Sequence, residues 1–176
     1  LGDEVAAIDL AGAEALYPTP SFTDLFQRAQ TLGVPFTIHA GEADGPESVK
    51  AALACGTKRI GHGVRSKEDS DLVKRLAEEG ITLECCPKSN LDTKIFAYIE
   101  EYPFRYYLEQ GVHITINSDN MVVSNTNVIR EFQRLNAAFQ LTKEEVKTVL
   151  QNSVRASFAS ETLKATLLQK IDERLP

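Results

Sequence analysis

The sequence predicts an α/β fold built on a parallel sheet. Apolar runs of about five residues alternate with helical stretches as far as Ile116, the order of a βα array. The first run, Val5-Ala6-Ala7-Ile8-Asp9-Leu10, is apolar on both faces apart from its Asp, as expected of a buried parallel strand. No G-x-G-x-x-G or G-x-x-x-x-G-K-[ST] follows any strand, which takes support from the nucleotide-cradling members of the class. No sequence repeat or low-complexity linker divides the chain, so residues 1–176 read as one domain or part of one.

Each element has its own signal. Ala11-Gly12 ends the first strand, and a loop with Pro18 and Pro20 leads to a helix over 21–32. That helix has an apolar stripe at Phe22, Leu25, Phe26 and Ala29 and a stop at Gly33. A second strand over 34–38 delivers His39, and Pro46 and Gly56 bracket a short helix over 47–54. A third strand, Arg59-Ile60-Gly61, delivers His62-Gly63. Ser66 with Asp69 three residues on makes a capping-box signature for a helix carrying Leu72, Val73 and Leu76 and ending at Gly80. A fourth strand over 81–86 stops at Pro87, and the poorly patterned residues 88–102 read as a loop with one helical turn. A helix over 104–110, closed by Gly111, leads to a fifth strand over 112–116 that delivers Asn117-Ser118-Asp119-Asn120. Only helices follow. The first, over 128–139, has its stripe at Val128, Ile129, Phe132 and Leu135; Thr142 with Glu145 caps the next, and Ser160 caps the last.

Composition narrows the partners. The net charge of −6 argues against a nucleic-acid backbone or an anionic membrane as principal partner. No apolar run approaches the ~18 residues a spanning helix needs, and no signal-peptide pattern opens the chain. Cys55, Cys85 and Cys86, an odd number with an adjacent pair and no C-x-x-C, read as reduced, partly buried thiols of a cytoplasmic protein. The chain starts at Leu1 rather than Met and enters strand-like residues at Glu4, which predicts a piece of something longer.

Three strands finish in residues suited to metal or proton chemistry: His39 with Glu42, His62, and Asp119. The carboxyl ends of strands in a parallel barrel open on one face, where residues distant in sequence converge. Each has an ordinary alternative. A His closing an apolar run is more often packed than ligating, Glu42 could be a helix-start carboxylate near Pro46, and Asp119 could cap the next segment. His62, between two glycines, has little local packing, which argues against a core role; His113 opens its strand at the opposite rim and reads as structural or exposed. Two His and one Asp, each closing a different strand, suit a borderline divalent ion such as zinc.

The motifs Asp9-Leu10-Ala11-Gly12, His39-Ala40-Gly41-Glu42, Gly61-His62-Gly63, Cys86-Pro87-Lys88-Ser89-Asn90 and Ser118-Asp119-Asn120 together span nearly the whole chain. In their order and spacing the chain resembles the carboxyl-terminal half of a metal-dependent, TIM-barrel adenosine deaminase. The resemblance implies a (β/α)8 TIM barrel of the metal-dependent hydrolase superfamily, incomplete here. About five parallel strands, the fourth to eighth, would be present with extra C-terminal helices. It implies that His39 and Asp119 are Zn2+ ligands, that Glu42 protonates purine N1, and that His62 orients and helps activate the water that zinc makes nucleophilic. It further implies that the Gly12 N–H binds purine N3 and that Asp119 takes the water's proton. The expected reaction is zinc-dependent hydrolytic deamination of adenosine or 2′-deoxyadenosine, a small-molecule purine nucleoside. Adenine deaminase is the alternative within the enzyme class; a catalytically silent or self-associating fragment is the alternative outside it.

Three departures from the family pattern stand out. Asp119-Asn120-Met121 replaces Asp-Asp-Pro, and an Asn120 amide donates to purine N7 without needing a proton. Ala13-Glu14 stands where Asp-Glu is common. The family's His-x-His pair, two zinc ligands on its first strand, has no counterpart in these residues. The 176 residues alone are therefore expected to be inactive, with an uncovered apolar interior and two open edges through which copies could associate.

Overall fold

The computed structural model describes residues 5–176, so the predicted start of the first strand at Glu4 lies outside the described residues. Five short strands, β1 (Ile8–Leu10), β2 (Phe36–Ala40), β3 (Arg59–His62), β4 (Thr82–Cys85) and β5 (His113–Ile116), form one sheet in sequence order. Every neighbouring pair is parallel. Parallel neighbours need crossovers, and these are helical: α1 (Thr23–Thr31), α2 (Pro46–Ala54), α3 (Ser70–Glu78), then α4 (Pro87–Asp92) with α5 (Phe104–Glu109). Helices α6 (Val128–Phe139), α7 (Lys143–Ala156) and α8 (Glu161–Arg174) follow β5. The parallel βα array is as the sequence predicts, and its architecture is that of an incomplete (β/α)8 barrel, as the resemblance implies.

The two faces of the sheet differ. Ile38, Ile60, Leu83 and Ile114 are fully buried in one cluster with Phe26, Leu76, Phe104, Tyr107, Leu135 and Val149 from the helices. Burying each such side chain contributes about 1.5–3 kcal/mol. The alternate positions, brought side by side by the register, are Asp9 with Thr37, His39 with Gly61, Gly61 with Glu84, and Glu84 with Thr115. Arg59 is ion-paired to Glu84, and Thr37 Oγ1 donates to Glu84 Oε2 at 2.6 Å. The expectation of an apolar interior is thus corrected. The strands read as apolar because their helix-facing residues dominate, while the face away from the helices is polar.

Several local expectations change. The helix over 21–32 divides into a 3-10 turn (Thr19–Phe22) and α1, and Leu25 is exposed while Phe26 and Ala29 are buried. Ser66 lies inside a 3-10 turn (Val64–Glu68), and Asp69 is the cap of α3, its Oδ1 accepting from the N–H of Asp71 and Leu72 at 3.0 Å each. Within 88–102 the chain forms α4 and a 3-10 turn (Ile99–Glu101). Pro87 sits in the first turn of α4, where its missing N–H costs nothing. The next free N–H, of Lys88, donates to the buried carboxylate of Glu131 at 2.8 Å. On α6, Leu135 is buried and Phe132 packs partly buried against the core as predicted, whereas Val128 and Ile129 are exposed and Glu131 is buried. The Thr142–Glu145 capping box and the Ser160 cap form as read, His113 is exposed, and the three cysteines are free and buried. Among the described residues no helix is long and apolar enough to cross a membrane.

Candidate active site

The carboxyl ends of β2, β3 and β5 bring three predicted residues together. One ligand-capable atom from each of His39, His62 and Asp119 lies within 4.8 Å of the others, so the cluster could hold a metal ion. His39 reaches it across β3 because residue 61 is glycine. A Cβ there would stand 2.8 Å from His39 Nδ1. His62 and Asp119 have left-handed backbone, φ +61 and +53, which non-glycine residues adopt at a cost and which clusters at functional sites. At His62 it breaks the strand alternation that would point the ring toward the helices with Ile60. The imidazole instead lies 5.1 Å from that of His39, centroid to centroid.

Each side chain is held by a further partner. His39 Nδ1 is 3.1 Å from Asp9 Oδ1, which leaves Nε2 for a metal. Burial favours the neutral ring, but the Asp9 carboxylate prevails and raises the His39 pKa. Asp119 Oδ2 accepts from Ser89 Oγ at 2.6 Å and Oδ1 from the N–H of Asn120 at 2.7 Å. Burial opposes its charge, but the Ser89 hydroxyl and the nearby His62 ring hold its pKa below the ordinary carboxylate value. Burial lowers the pKa of His62, against the pull of the Glu42 and Asp119 carboxylates.

Glu42 joins the cluster through Asn90. The fully buried Asn90 amide donates from Nδ2 to Glu42 Oε1 at 2.9 Å and lies 3.1 Å from His62 Nδ1. Tyr102 OH donates to Asn90 Oδ1 at 3.4 Å. A carboxylate on one side and a hydroxyl donor on the other fix which end of the amide is nitrogen. An amide nitrogen only donates, so His62 Nδ1 accepts and the ring proton is on Nε2. That atom is 3.6 Å from Glu42 Oε2 and 3.7 Å from Asp119 Oδ2.

The remaining two predicted residues stand outside the cluster. Gly12, at φ +140, lines a cavity of about 310 Å3 with Glu14, Tyr17, Phe22 and His39. His39 also lines the cluster's own cavity of about 190 Å3, so the two adjoin. Asn120 Oδ1 accepts from the N–H of Val122 and Val123 at 3.1 and 3.0 Å, which turns its carbonyl into the local loop and leaves its NH2 as donor. Asp9, Ser89 and Asn90 lie within the sequence motifs named above, but nothing local to them predicts a task for their side chains. The motif was the available signal, but the contacts cross 28 to 48 residues.

A family model described as adenosine deaminase matches residues 1–174. The chain belongs to the adenosine deaminase family. The adenosine deaminase of Haemophilus ducreyi is 49% identical over 172 residues, covering 98% of this chain and 50% of that protein. The crystal structure of adenine deaminase from Arthrobacter aurescens superposes with a TM-score of 0.94 at 34% identity, covering 97% of this chain and 53% of that one. An amidohydrolase from Burkholderia ambifaria, solved with bound Zn, shares the fold at a TM-score of 0.91 and 22% identity, over 99% of this chain and 49% of that one. The chain spans about half the length of the curated relatives it matches.

Proposed function

We propose that the enzyme containing this chain is a zinc-dependent hydrolase that converts adenosine or 2′-deoxyadenosine to the inosine nucleoside and ammonia. The observation that carries the reading is the convergence of His39, His62 and Asp119 within 4.8 Å, with Glu42 tied to His62 through Asn90. The donor set fits zinc: imidazole nitrogen and carboxylate oxygen, with a carboxylate holding the second nitrogen of His39. His39 and Asp119 would hold the ion, which supplies the Lewis acidity that makes water a nucleophile near neutral pH.

The protein's own groups do the rest. His62, with its proton on Nε2, orients the water by donating to its oxygen. Asp119 takes a proton from that water as the oxygen adds to purine C6, and Glu42 in its acid form protonates N1. Asp119 then gives its proton to the departing amino group, which leaves as ammonia. Glu42 recovers a proton from the C6 hydroxyl as the carbonyl forms, so both carboxyl groups return to their starting state. The N–H of Gly12 donates to N3 and the Asn120 NH2 to N7, both acceptors.

The test is steady loss of adenosine absorbance catalysed by the protein at its relatives' full length and abolished by a chelator. A zinc-loaded protein that releases no ammonia from adenosine, deoxyadenosine or adenine would falsify the reading. A second reading, adenine deamination, is supported by the likeness to the Arthrobacter adenine deaminase. Comparing turnover of free adenine with that of the nucleoside separates the two.

A further inference from the structure

Glu14 lies in the β1–α1 loop, far in sequence from the residues it touches, and only 9% of its surface is exposed. Its Oε1 accepts from the N–H of Gly41 and from Ser48 Oγ, each at 2.5 Å. Its Oε2 accepts from the N–H of Glu42, Ala43 and Asp44 at 3.0, 2.8 and 3.1 Å. Four consecutive backbone donors thus converge on one carboxylate, the arrangement of an anion-binding nest. Gly41 makes the turn possible. Its φ is +71, and a Cβ there would meet Val49 Cγ2 at 2.5 Å. Residues 41–44 belong to no helix or strand, and Glu14 takes all four of their N–H groups. The side chain in the middle of this loop is Glu42.

We propose that Glu14 is the positioning residue of this loop: by gathering the N–H groups of Gly41 to Asp44, its carboxylate holds Glu42 where it faces Asn90 and His62. The catalytic consequence rests on the reading of Glu42 as proton donor; the conformation of the loop does not. Glu14's own loop has separate support. The N–H of Glu14 donates to Gly12 C=O at 2.9 Å, and those of Leu16 and Tyr17 to Ala13 C=O at 2.9 and 3.0 Å. Loss of the carboxylate therefore displaces the Glu42 side first and leaves the turn at Gly12 in place. The expected signature is a fall in kcat with little change in KM.

The decisive variant is Glu14→Gln in the full-length zinc-loaded enzyme. Its amide keeps the shape but, in either orientation, turns an NH2 toward at least one backbone N–H, which only donates. Misplacing a reacting group by about an ångström costs on the order of 100-fold, so kcat should fall about that much while KM stays within about threefold and zinc content is unchanged. Amide hydrogen exchange at 41–44 should accelerate. Glu14→Asp, which keeps the acceptors on a shorter stem, should retain more activity than Glu14→Gln. Ser48→Ala removes one donor of the set and should lower kcat in the same direction by a smaller factor, which keeps the test alive if Glu14→Gln does not fold. A kcat within about twofold of wild type, or a loss expressed in KM alone, would overturn the proposal. If the wild-type enzyme deaminates no purine, the functional reading falls. Exchange at 41–44 then decides the anchoring, and unchanged protection overturns it.

Discussion

Asn90 is the residue on which the candidate site turns, because its amide serves Glu42 and His62 at once. Asn90→Ala leaves the buried His62 Nδ1 without its donor and Glu42 Oε1 with only the Thr93 hydroxyl at 3.2 Å, a loss of about 1–3 kcal/mol in transition-state stabilisation. Measured as kcat/KM, the variant should fall about 10- to 100-fold. Asn90→Asp, which sets a second carboxylate against Glu42, should fall further. Glu14 carries a pH signature of its own. Burial pushes its pKa up, but the Ser48 hydroxyl and the backbone N–H groups of Asp44, Gly41 and Glu42 prevail and hold it below the ordinary Glu value. Its contribution to stability is therefore present above the unfolded-state pKa and is lost as pH falls through the lower folded value. Urea midpoints of wild type and Glu14→Gln should differ most near neutral pH and converge on acidification; a constant gap down to strongly acidic pH would contradict the assignment. His39, Glu42, His62 and Asp119 were legible in the sequence because each closes a strand or follows a sharp turn, both local signals. Asn90 and Glu14 were not legible as partners, since nothing near them in sequence marks what they touch.

At the scale of elements, capping illustrates how a local rule can be right in kind and wrong in place. The sequence offers Ser66 and Asp69 as the start of α3, and Asp69 is the side chain that accepts from the helix N–H groups. Asp69→Ala should cost about 1 kcal/mol by chemical denaturation, and Ser66→Ala should leave the cap intact. Lys50 Nζ also pairs with Asp69 Oδ2 at 2.8 Å, but that contact is exposed and adds little. The sequence reads α4 only as one helical turn in a loop, for a different reason. Its six residues carry no apolar stripe, and its start is stabilised by Glu131 of α6, whose carboxylate accepts the Lys88 N–H and a hydrogen bond from Thr126 Oγ1. A helix so short depends on tertiary partners rather than on propensity. The same buried Glu131 lies on the packed side of α6 with Leu135, while Val128 and Ile129 of the predicted stripe are exposed.

For the whole molecule, edges dominate. Among the described residues β1 pairs only with β2, and β5 only with β4, so each presents a free edge. Free strand edges favour pairing with another chain. Of the metal-competent groups that converge here, His39 and Asp119 would ligate the ion and His62 would orient the water, which leaves two protein ligands where catalytic zinc sites ordinarily use three with a position left open. A polypeptide of these 176 residues by itself should therefore show no steady loss of adenosine absorbance, and it should sediment as a concentration-dependent oligomer. A monomer that turns over adenosine and stops on addition of chelator would contradict both expectations.

The sequence by itself determined the strand–helix order, most helix caps and the residues delivered at the strand ends. Those depend on periodicity and on stop signals a few residues away. Only the tertiary structure decided how they combine: the His39 ring over Gly61, the Asn90 amide between Glu42 and His62, and the Glu14 carboxylate beneath the Glu42 loop. The physical reason is sequence separation. These contacts join residues 22 to 48 positions apart, through the register of parallel strands and the placing of buried polar groups, and neither leaves a periodic trace in the chain.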